Sequence, residues 1–459
     1  MTADPRPNAR RVAVNAFLRW EKGNAFAETL VAAMARDARL SSADRALAQA
    51  IVYGILRNKT WLERLLHNLR PSPLDRDLRA MALAGLCQMF ILRQADYAAV
   101  SETVALAPAR TRGVINGILR QAARQREQFL RELPSLPAAV RYSTPDWLAA
   151  RWEQMFGAEN ARALMAWNAE PPAVHARENA LRPLADLPEG LVPLPEMPGW
   201  YRVDGPLPLN DVRAGRLYLA DPSTRHCVEL LAPQPGECIL DACAAPGGKA
   251  AAILSATRGK AQLTATDLHE HRLPALRENL ERMGVSEVDI AAHDWAQPCP
   301  EPWKEAFDAV LLDAPCSNTG VIQRRVDVRW RLTPEEISRL AALQGRLLAQ
   351  CSKAVRPGGR LVYSTCSIDD EENRDVVDAF LAAHPDWKLE HDLTVLPHQV
   401  HGDGAYAALL SKGPQMTQVT TDFTDFTVNY NVKKEQESVE LVLSLGGYSP
   451  PIPLGSVRR

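Results

Sequence analysis

Two cysteines fifty residues apart each close a short run of buried-strand character: Cys316 ends the DAPC of 313–316, and Cys366 stands in the STCS of 364–367. Upstream of both lies DACAAPGGK at 241–249, a glycine-rich turn of the kind that joins a strand to a helix. A thiolate is a strong nucleophile, and a glycine pair after a strand lets backbone approach a ligand closely. Together they predict covalent catalysis beside a bound cofactor. A lone cysteine is usually an inert buried hydrophobe, and Cys87, Cys227, Cys238, Cys299 and Cys351 are read that way.

Gly247, Gly248 and Lys249 invite comparison with a phosphate-binding loop. That reading fails, because Cys243 stands where the first glycine is required and Ala250 where a magnesium-holding Ser or Thr should be. Asp267 ends the next strand, LTATD, where a carboxylate can accept hydrogen bonds from ribose hydroxyls. Asp294, after VDIAAH, is placed to read an adenine amino group. Any one such Asp could be a helix N-cap instead; three at successive strand ends favour an adenosyl ligand. Residues 369–372 (DDEE) look catalytic but fit a first helical turn, where acids suit the dipole.

The elements that must position these residues follow from spacing. Residues 8–130 read as helices, with Val12, Ala13, Ala16, Phe17 and Trp20 on one stripe and Val14 and Leu18 broadening it. Ser41 and Asp75 look like helix starts, and three prolines in 131–145 mark a linker. A Pro-rich mixed segment, 146–233, begins with a helix at 146–168. From 234, apolar strands (ECILDACA, AQLTATD, VDIAAHD, FDAVLLDAP, GRLVYSTCS) alternate with helices at 270–283, 334–355 and 370–383. That alternation predicts a parallel doubly wound α/β sheet, with ligands beyond the carboxyl ends of its strands. The expected organisation is an all-α domain over 1–135, a small mixed α/β subdomain over 146–233, a Rossmann-like domain over 234–412 and a tail of unassigned role over 413–459. Part of that tail, TQVTTDFTDFTVNYNVKKEQESVELVLSL, alternates as a hairpin would.

Hydrophobic content of 46% and charged content of 24% are those of a soluble globular chain. No apolar run reaches membrane-spanning length, and the first twenty residues lack a secretory apolar core. Eight scattered cysteines without a targeting segment imply reduced thiols in the cytoplasm, and the absence of a C-x-x-C pair argues against a structural zinc. The net charge of −2 hides an asymmetry. Residues 1–140 hold 21 Lys+Arg against 12 Asp+Glu, and the rest carries −11. Nineteen of those basic residues are Arg, whose planar fork suits phosphate, so the front end points to a polyanionic partner. The alternative is that these arginines simply coat a helical bundle.

DACAAPGGK, LLDAPCSNTG and YSTCS together resemble the RNA cytosine-5 methyltransferases that use S-adenosylmethionine. The front helices (DRALAQAIVYGILRNKTWLERLL, LRAMALAGLCQMFIL, VINGILRQA) resemble the helical domain of the antitermination factor NusB. The combination is similar to the Sun/Fmu group over about residues 8–412. The resemblance implies a NusB-like RNA-binding domain before a Rossmann-like methyltransferase domain, acting as a monomer on a cytosine of small-subunit (16S) ribosomal RNA. It implies that Cys243, Ala244, Ala245, Pro246, Gly247, Gly248 and Lys249 surround the cofactor's methionine portion, that Asp267 holds the ribose and Asp294 the adenine. Asp313 would contact the target cytosine, with Pro315 shaping the pocket. Cys366 would be the nucleophile, and Cys316 would help release the product. Departures from the group's pattern are Val326 for a commoner Pro, Ala220 for Gln, and Arg177, Glu178, Asn179 for Arg-Val-Asn; they are expected to touch substrate fit more than chemistry. Rivals are a transfer-RNA cytosine-5 methyltransferase, a DNA cytosine methyltransferase using the Pro-Cys thiol, and a non-catalytic RNA-binding or antitermination factor.

Overall fold

Helix α1 (Ala9–Trp20) starts at Asn8, whose side chain accepts the Arg11 N–H at 3.1 Å. It buries Val12, Ala13, Ala16, Phe17 and Trp20, and Val14 as well, because it packs against α2 (Ala27–Asp37), α3 (Ser42–Arg57) and α5 (Arg76–Phe90). The broad apolar stripe thus reflects several neighbours. Ser41 caps α3 by accepting the Asp44 N–H at 3.1 Å, and Asp75 caps α5 by accepting the Leu78 N–H at 2.9 Å. Helices α4 (Lys59–Leu69), α6 (Asp96–Leu106), α7 (Arg112–Arg124) and α8 (Arg126–Glu132) complete the bundle around Leu83, Leu86 and Cys87 of α5. The structure is a computed structural model that describes residues 8–23, 25–285, 287–414, 434–435 and 438–439.

The expected linker is packed structure. Pro134 opens a 3-10 turn, Leu133–Ser135, while Pro137 precedes α9 (Ala138–Arg141) and Pro145 precedes α10 (Asp146–Ala169). Leu133 and Leu136 pack on the front core, whereas Ala138, Ala139 and Tyr142 pack around Trp152 of α10. The prolines start helical turns here, which their fixed φ favours. Strands β1 (His175–Glu178), β2 (Leu191–Pro193), β3 (Trp200–Val203) and β4 (Leu217–Leu219) then form an antiparallel sheet in the order β2-β3-β1-β4.

The large sheet holds β5 (Cys238–Asp241), β6 (Gln262–Asp267), β7 (Val288–Ala292), β8 (Phe307–Asp313), β9 (Val355–Thr365), β10 (Trp387–Val395) and β11 (Ala405–Lys412), in the order β10-β11-β9-β8-β5-β6-β7. The five strands read from apolar runs pair in parallel. The sheet is nevertheless mixed, which corrects the all-parallel expectation: β11 runs antiparallel to both β9 and β10. Only nine residues join β10 to β11, too few for the crossover that a parallel pair needs. Along β8, Val310 and Leu312 face one apolar layer with Leu348 and Phe380, while Ala309 and Leu311 face the other with Ile253 and Leu276. Helices cover both faces, as continuous apolar strands require.

Residues 323–331 tie this α/β body to the front bundle. Val326 is buried in the bundle's core, and the Trp330 Nε1–H donates to Leu56 O at 2.8 Å. The Ala27 N–H donates to Asp327 Oδ2 at 2.8 Å, and Arg57 donates to Gln323 O at 2.9 Å. The departure at Val326 lies in interdomain packing. Arg329 is wholly buried and donates to the carbonyls of Tyr142, Ser143 and Asn168 at 3.1, 3.3 and 2.7 Å. Burial, with the nearby Arg57 cation, pushes its pKa down to about 9. Residues 1–413 form one compact unit, and 414–459 form a second. In the latter, Lys434–Glu435 pairs antiparallel with Ser438–Val439; the rest of the expected hairpin lies outside the described residues.

The Arg329 contacts predict a large stability effect. Arg329→Met leaves three buried carbonyls without donors and should lower unfolding free energy by about 3 kcal/mol or more, read from chemical denaturation. Arg329→Lys should recover little of it, because an ammonium lacks the planar fork that reaches three acceptors.

Candidate active site

Beyond the end of β5 the chain turns through 243–249 into the helix Gly248–Ala256. Gly247 sits at φ 106, and a Cβ there would come within 2.9 Å of Leu276 Cδ1; a Cβ on Gly248 would meet the Tyr218 ring at 2.8–3.0 Å. Both positions need glycine for these reasons. The turn is pinned: the Ala244 N–H donates to Thr266 O at 2.7 Å, Arg272 to Ala245 O at 3.0 Å, and Asn279 to Pro246 O at 2.8 Å. A cavity of about 160 Å³ opens between it and the small sheet. Cys243, Ala244, Ala245, Pro246, Gly248, Lys249 and Asp313 line one side, and Arg177 and Tyr218 the other.

Asp267 and Asp294 end up beyond the next two strands, outside the lining of that cavity. The Asp267 carboxylate accepts the His269 N–H at 3.0 Å and pairs with Arg272 at 3.2 Å. Asp294 accepts the Ala296 N–H at 2.9 Å within a turn that opens no helix, so it is not the helix N-cap weighed as the alternative. Asp241 is wholly buried, and neither oxygen has a well-formed hydrogen bond, the nearest donor being a loosely placed Cys243 N–H. Burial first, then the charge of Asp313, pushes its pKa up to about 7.

The two cysteines meet at the ends of the adjacent strands β8 and β9. Their Sγ atoms lie 3.2 Å apart, and Asn318 Oδ1 is 3.3 Å from Cys366 Sγ. The Cys316 thiol is pushed well above its usual range by the hydrogen bond with Cys366, by burial, and by the charges of Cys366 and Glu372. Either thiol can be the donor in this contact. Cys366 lines a small cavity of about 50 Å³ that shares Thr224, Lys249 and Asp313 with the cavity at the glycine turn. Lys249 Nζ is 2.7 Å from Asp313 Oδ2. Burial opposes the charge on Lys249, but Asp313, Cys227 and Cys366 outweigh it and hold its pKa above the ordinary lysine range.

Several residues here carry more than their motifs announced. Glu372 is buried and accepts the Ser317 N–H at 2.8 Å and Gln344 at 3.0 Å, so it holds the loop behind Cys316. Asp369 and Glu371 bind Arg151 of α10, Asp369 through a pair of bonds at 2.5 and 2.6 Å. The DDEE run is structural, as expected, though it packs domains together as well as opening a turn. Cys227, read as inert, lies against the Cys366 cavity, with its Sγ directed to Thr224 O at 3.3 Å. Arg324 bridges Asp221 at 2.6 Å and Asp403 at 2.8 Å; burial, then Asp221, raises Asp403 to about 7. Nothing in the sequence flagged Asp403, which is a single acid in a loop, HGDGAY, without helical or strand periodicity.

Comparison with known proteins agrees with this geometry. The model of the 16S rRNA methyltransferase RsmB/F family matches residues 228–411, and that of the NusB family matches 7–124. Ribosomal RNA small subunit methyltransferase B of Salmonella typhi is 35% identical over 398 residues, spanning 82% of this chain and 92% of that protein. The solved structure of PH0851 superposes with a TM-score of 0.70 at 23% identity, over 90% of this chain and all of its own. That of NSun6 from Pyrococcus horikoshii with SFG gives 0.52 at 20% identity, over 59% of this chain and 99% of its own. At these identities the two structures speak to fold alone. With a helical NusB domain before a Rossmann-like domain whose turn, acids and paired thiols share one face, the chain belongs to the 16S rRNA methyltransferase RsmB/F family.

Proposed function

We propose that this chain transfers a methyl group from S-adenosylmethionine to carbon 5 of one cytosine in small-subunit (16S) ribosomal RNA, through a covalent adduct with Cys366. The observation that carries the reading is the thiol pair, 3.2 Å apart, whose Cys366 lines a cavity that shares Lys249 and Asp313 with the one at the glycine turn. S-adenosylmethionine supplies an electrophilic methyl group. Carbon 5 of cytosine is a poor nucleophile until a thiolate adds to carbon 6 and makes the ring an enamine. Cys366 is assigned that addition. The Asp313 carboxyl, near ring nitrogen 3, would steady the charge that develops there, and Lys249 fixes its position. Once the methyl group's bond to the sulfonium sulfur is exchanged for one to carbon 5, leaving the neutral thioether, the carbon 5 proton would pass to a base, the carbon 6–sulfur bond would break, and the thiolate of Cys366 would return. Cys316 is assigned to assist that release. The target base must be single-stranded or flipped, at a cost of about a few kcal/mol. Residues 243–249 are assigned to the methionine portion of the cofactor, Asp267 to its ribose and Asp294 to its adenine. The −11 balance beyond residue 140 contrasts with the +9 before it, which supports RNA contact by the front domain.

The buried acid Asp241 gives this reading a pH signature. A cationic ligand beside it favours its ionised form, so binding must expel the proton that the empty site holds below about pH 7. Cofactor affinity measured by calorimetry should be about tenfold weaker at pH 6 than at pH 8, and Asp241→Asn should flatten the profile. In the ligand-free chain the sign is opposite. The unfolded carboxyl ionises near pH 4 and the folded one near 7, so stability falls as pH rises between them.

The two thiols should give opposite mutants. Cys366→Ala should abolish methylation while RNA binding persists. Cys316→Ala should still add to the base and accept methyl but fail to let go, so that a protein–RNA adduct survives denaturing electrophoresis. That adduct should require cofactor and an intact Cys366. A trapped adduct in Cys366→Ala would instead give Cys316 the nucleophile's place, and no adduct in either would reduce both to packing residues. Bisulfite sequencing of 16S RNA before and after treatment with the full chain identifies the base; no new protected cytosine would sink the reading.

A further inference from the structure

We propose that a pocket adjoining the Cys366 cavity holds a second base of the RNA, a neighbour in sequence of the methylated cytosine. The pocket measures about 350 Å³ and lies between Trp167 of α10, His175 of β1, the segment from Asp221 to His226, and the loop carrying Val400 and His401. Ser223 and His226 line both this pocket and the Cys366 cavity, so the two adjoin through a shared wall. The inference rests on the functional reading above, because a flipped cytosine leaves its neighbours on the same strand within a few ångströms of that wall.

The chemistry of the lining selects a flat heterocycle. Leu194, Met197 and Val400 offer apolar surface, and Trp167 stands edge-to-face with His401 at 5.4 Å between ring centres. Among the lining side chains, three buried polar atoms make no hydrogen bond: Trp167 Nε1, His175 Nδ1 and Arg225 Nε, the last lying 3.6 Å from Glu229 Oε1 in a loose ion pair. Buried donors without partners are rare and call for an explanation. His175 is only 7% exposed. Its nearest polar neighbour, Asp221 Oδ2, is 3.8 Å away, too far for a hydrogen bond. Asp221 is in any case occupied: Oδ1 accepts the N–H groups of Ser223 and Asp403 at 3.0 Å, and Oδ2 accepts from Arg324 at 2.6 Å. Burial lowers the His175 pKa, with Asp221 opposing and Arg324 adding to the fall, so the imidazole is neutral and offers one donor and one acceptor. Apolar faces, an indole N–H, a neutral imidazole and a guanidinium together match the faces and edge of a nucleobase. A lone phosphate would find little there. Arg202, the other arginine in the lining, is already paired in two bonds with Asp204 at 2.7 and 2.5 Å.

The test uses the full chain and a complete 16S transcript. Bisulfite sequencing first locates the methylated cytosine. Transcripts assembled by splinted ligation then carry one abasic site at each of the three positions on either side. One of these positions should raise KM about tenfold or more with kcat nearly unchanged, as loss of a stacked base does. Trp167→Ala should raise KM on the intact transcript by a similar factor, and the abasic site should then add nothing. Met197→Trp, which fills the pocket without deleting a wall, should behave the same way and serves if Trp167→Ala folds poorly. Penalties that multiply rather than merge overturn the proposal, as does the lack of any sensitive position. A chain that methylates 16S RNA yet ignores both variants overturns the pocket and leaves the functional reading standing. A chain that methylates no cytosine in 16S RNA overturns both.

Discussion

The register of β8 against β9 is the constraint from which the placement of the two cysteines follows. Asp313 stands opposite Ser364 in this parallel pair, so the chain leaves both strands at one level and the two cysteine loops start side by side. Backbone bonds continue the alignment past the strands: the Ala314 N–H donates to Ser364 O at 2.8 Å and the Gly320 N–H to Cys366 O at 2.9 Å. A Cβ on Gly320 would lie 2.7 Å from that Cys366 oxygen and 2.6 Å from Gly404 O, so the approach depends on a residue with no side chain. Ser317, Thr319 and Ser367 then knit the loops with hydroxyl bonds of 2.9–3.4 Å. A slip of one residue would shift one thiol by about 3.3 Å and turn its neighbours to the opposite face. Fifty residues of sequence separation thus become 3.2 Å by strand pairing and the loop contacts that extend it.

Charge is arranged on that frame with few counterions. Asp241 and Asp313 lie at the ends of neighbouring strands, Asp267 lies one strand further, and Lys249 reaches only Asp313 directly. An excess of buried carboxylate is costly unless something cationic answers it, and the pKa of Asp241 is raised because burial and Asp313 outweigh the pull of Lys249. The same excess favours a ligand that carries positive charge. Lys249 therefore does two things at once: it holds the Asp313 carboxyl in place at 2.7 Å and limits how negative the two joined cavities become.

Periodicity made the frame legible, because buried elements repeat their apolar positions at the spacing of their geometry. All five parallel strands and the capped starts at Ser41 and Asp75 were readable for that reason. Strand β10 was not, since at the sheet edge Lys388, Glu390, His391 and Asp392 break its apolar pattern, and without it the antiparallel pair could not be foreseen. The site was legible where chemistry demands uncommon residues, as at Cys316, Cys366 and Lys249. It was illegible where a residue acts only through a long-range contact. Glu372 looked like part of a helix start, and Asp403 like part of a loop; only the fold shows that one secures the Cys316 loop and the other closes an ion cluster on Arg324.

Residues 320–331 join the front bundle to the loops that carry the paired cysteines. Gly320 touches the Cys366 carbonyl; six residues later Val326 is buried in the bundle's core, and at Trp330 the indole grips the end of α3. A segment this short, anchored at both ends by buried contacts, passes displacement from one end to the other, because packed interiors resist compression. Movement of the bundle on binding a polyanion would therefore bear directly on the loop that sets the thiol spacing. The single anchor of Arg329, with three carbonyls and no carboxylate, makes the middle of that segment rigid without adding negative charge near the thiols.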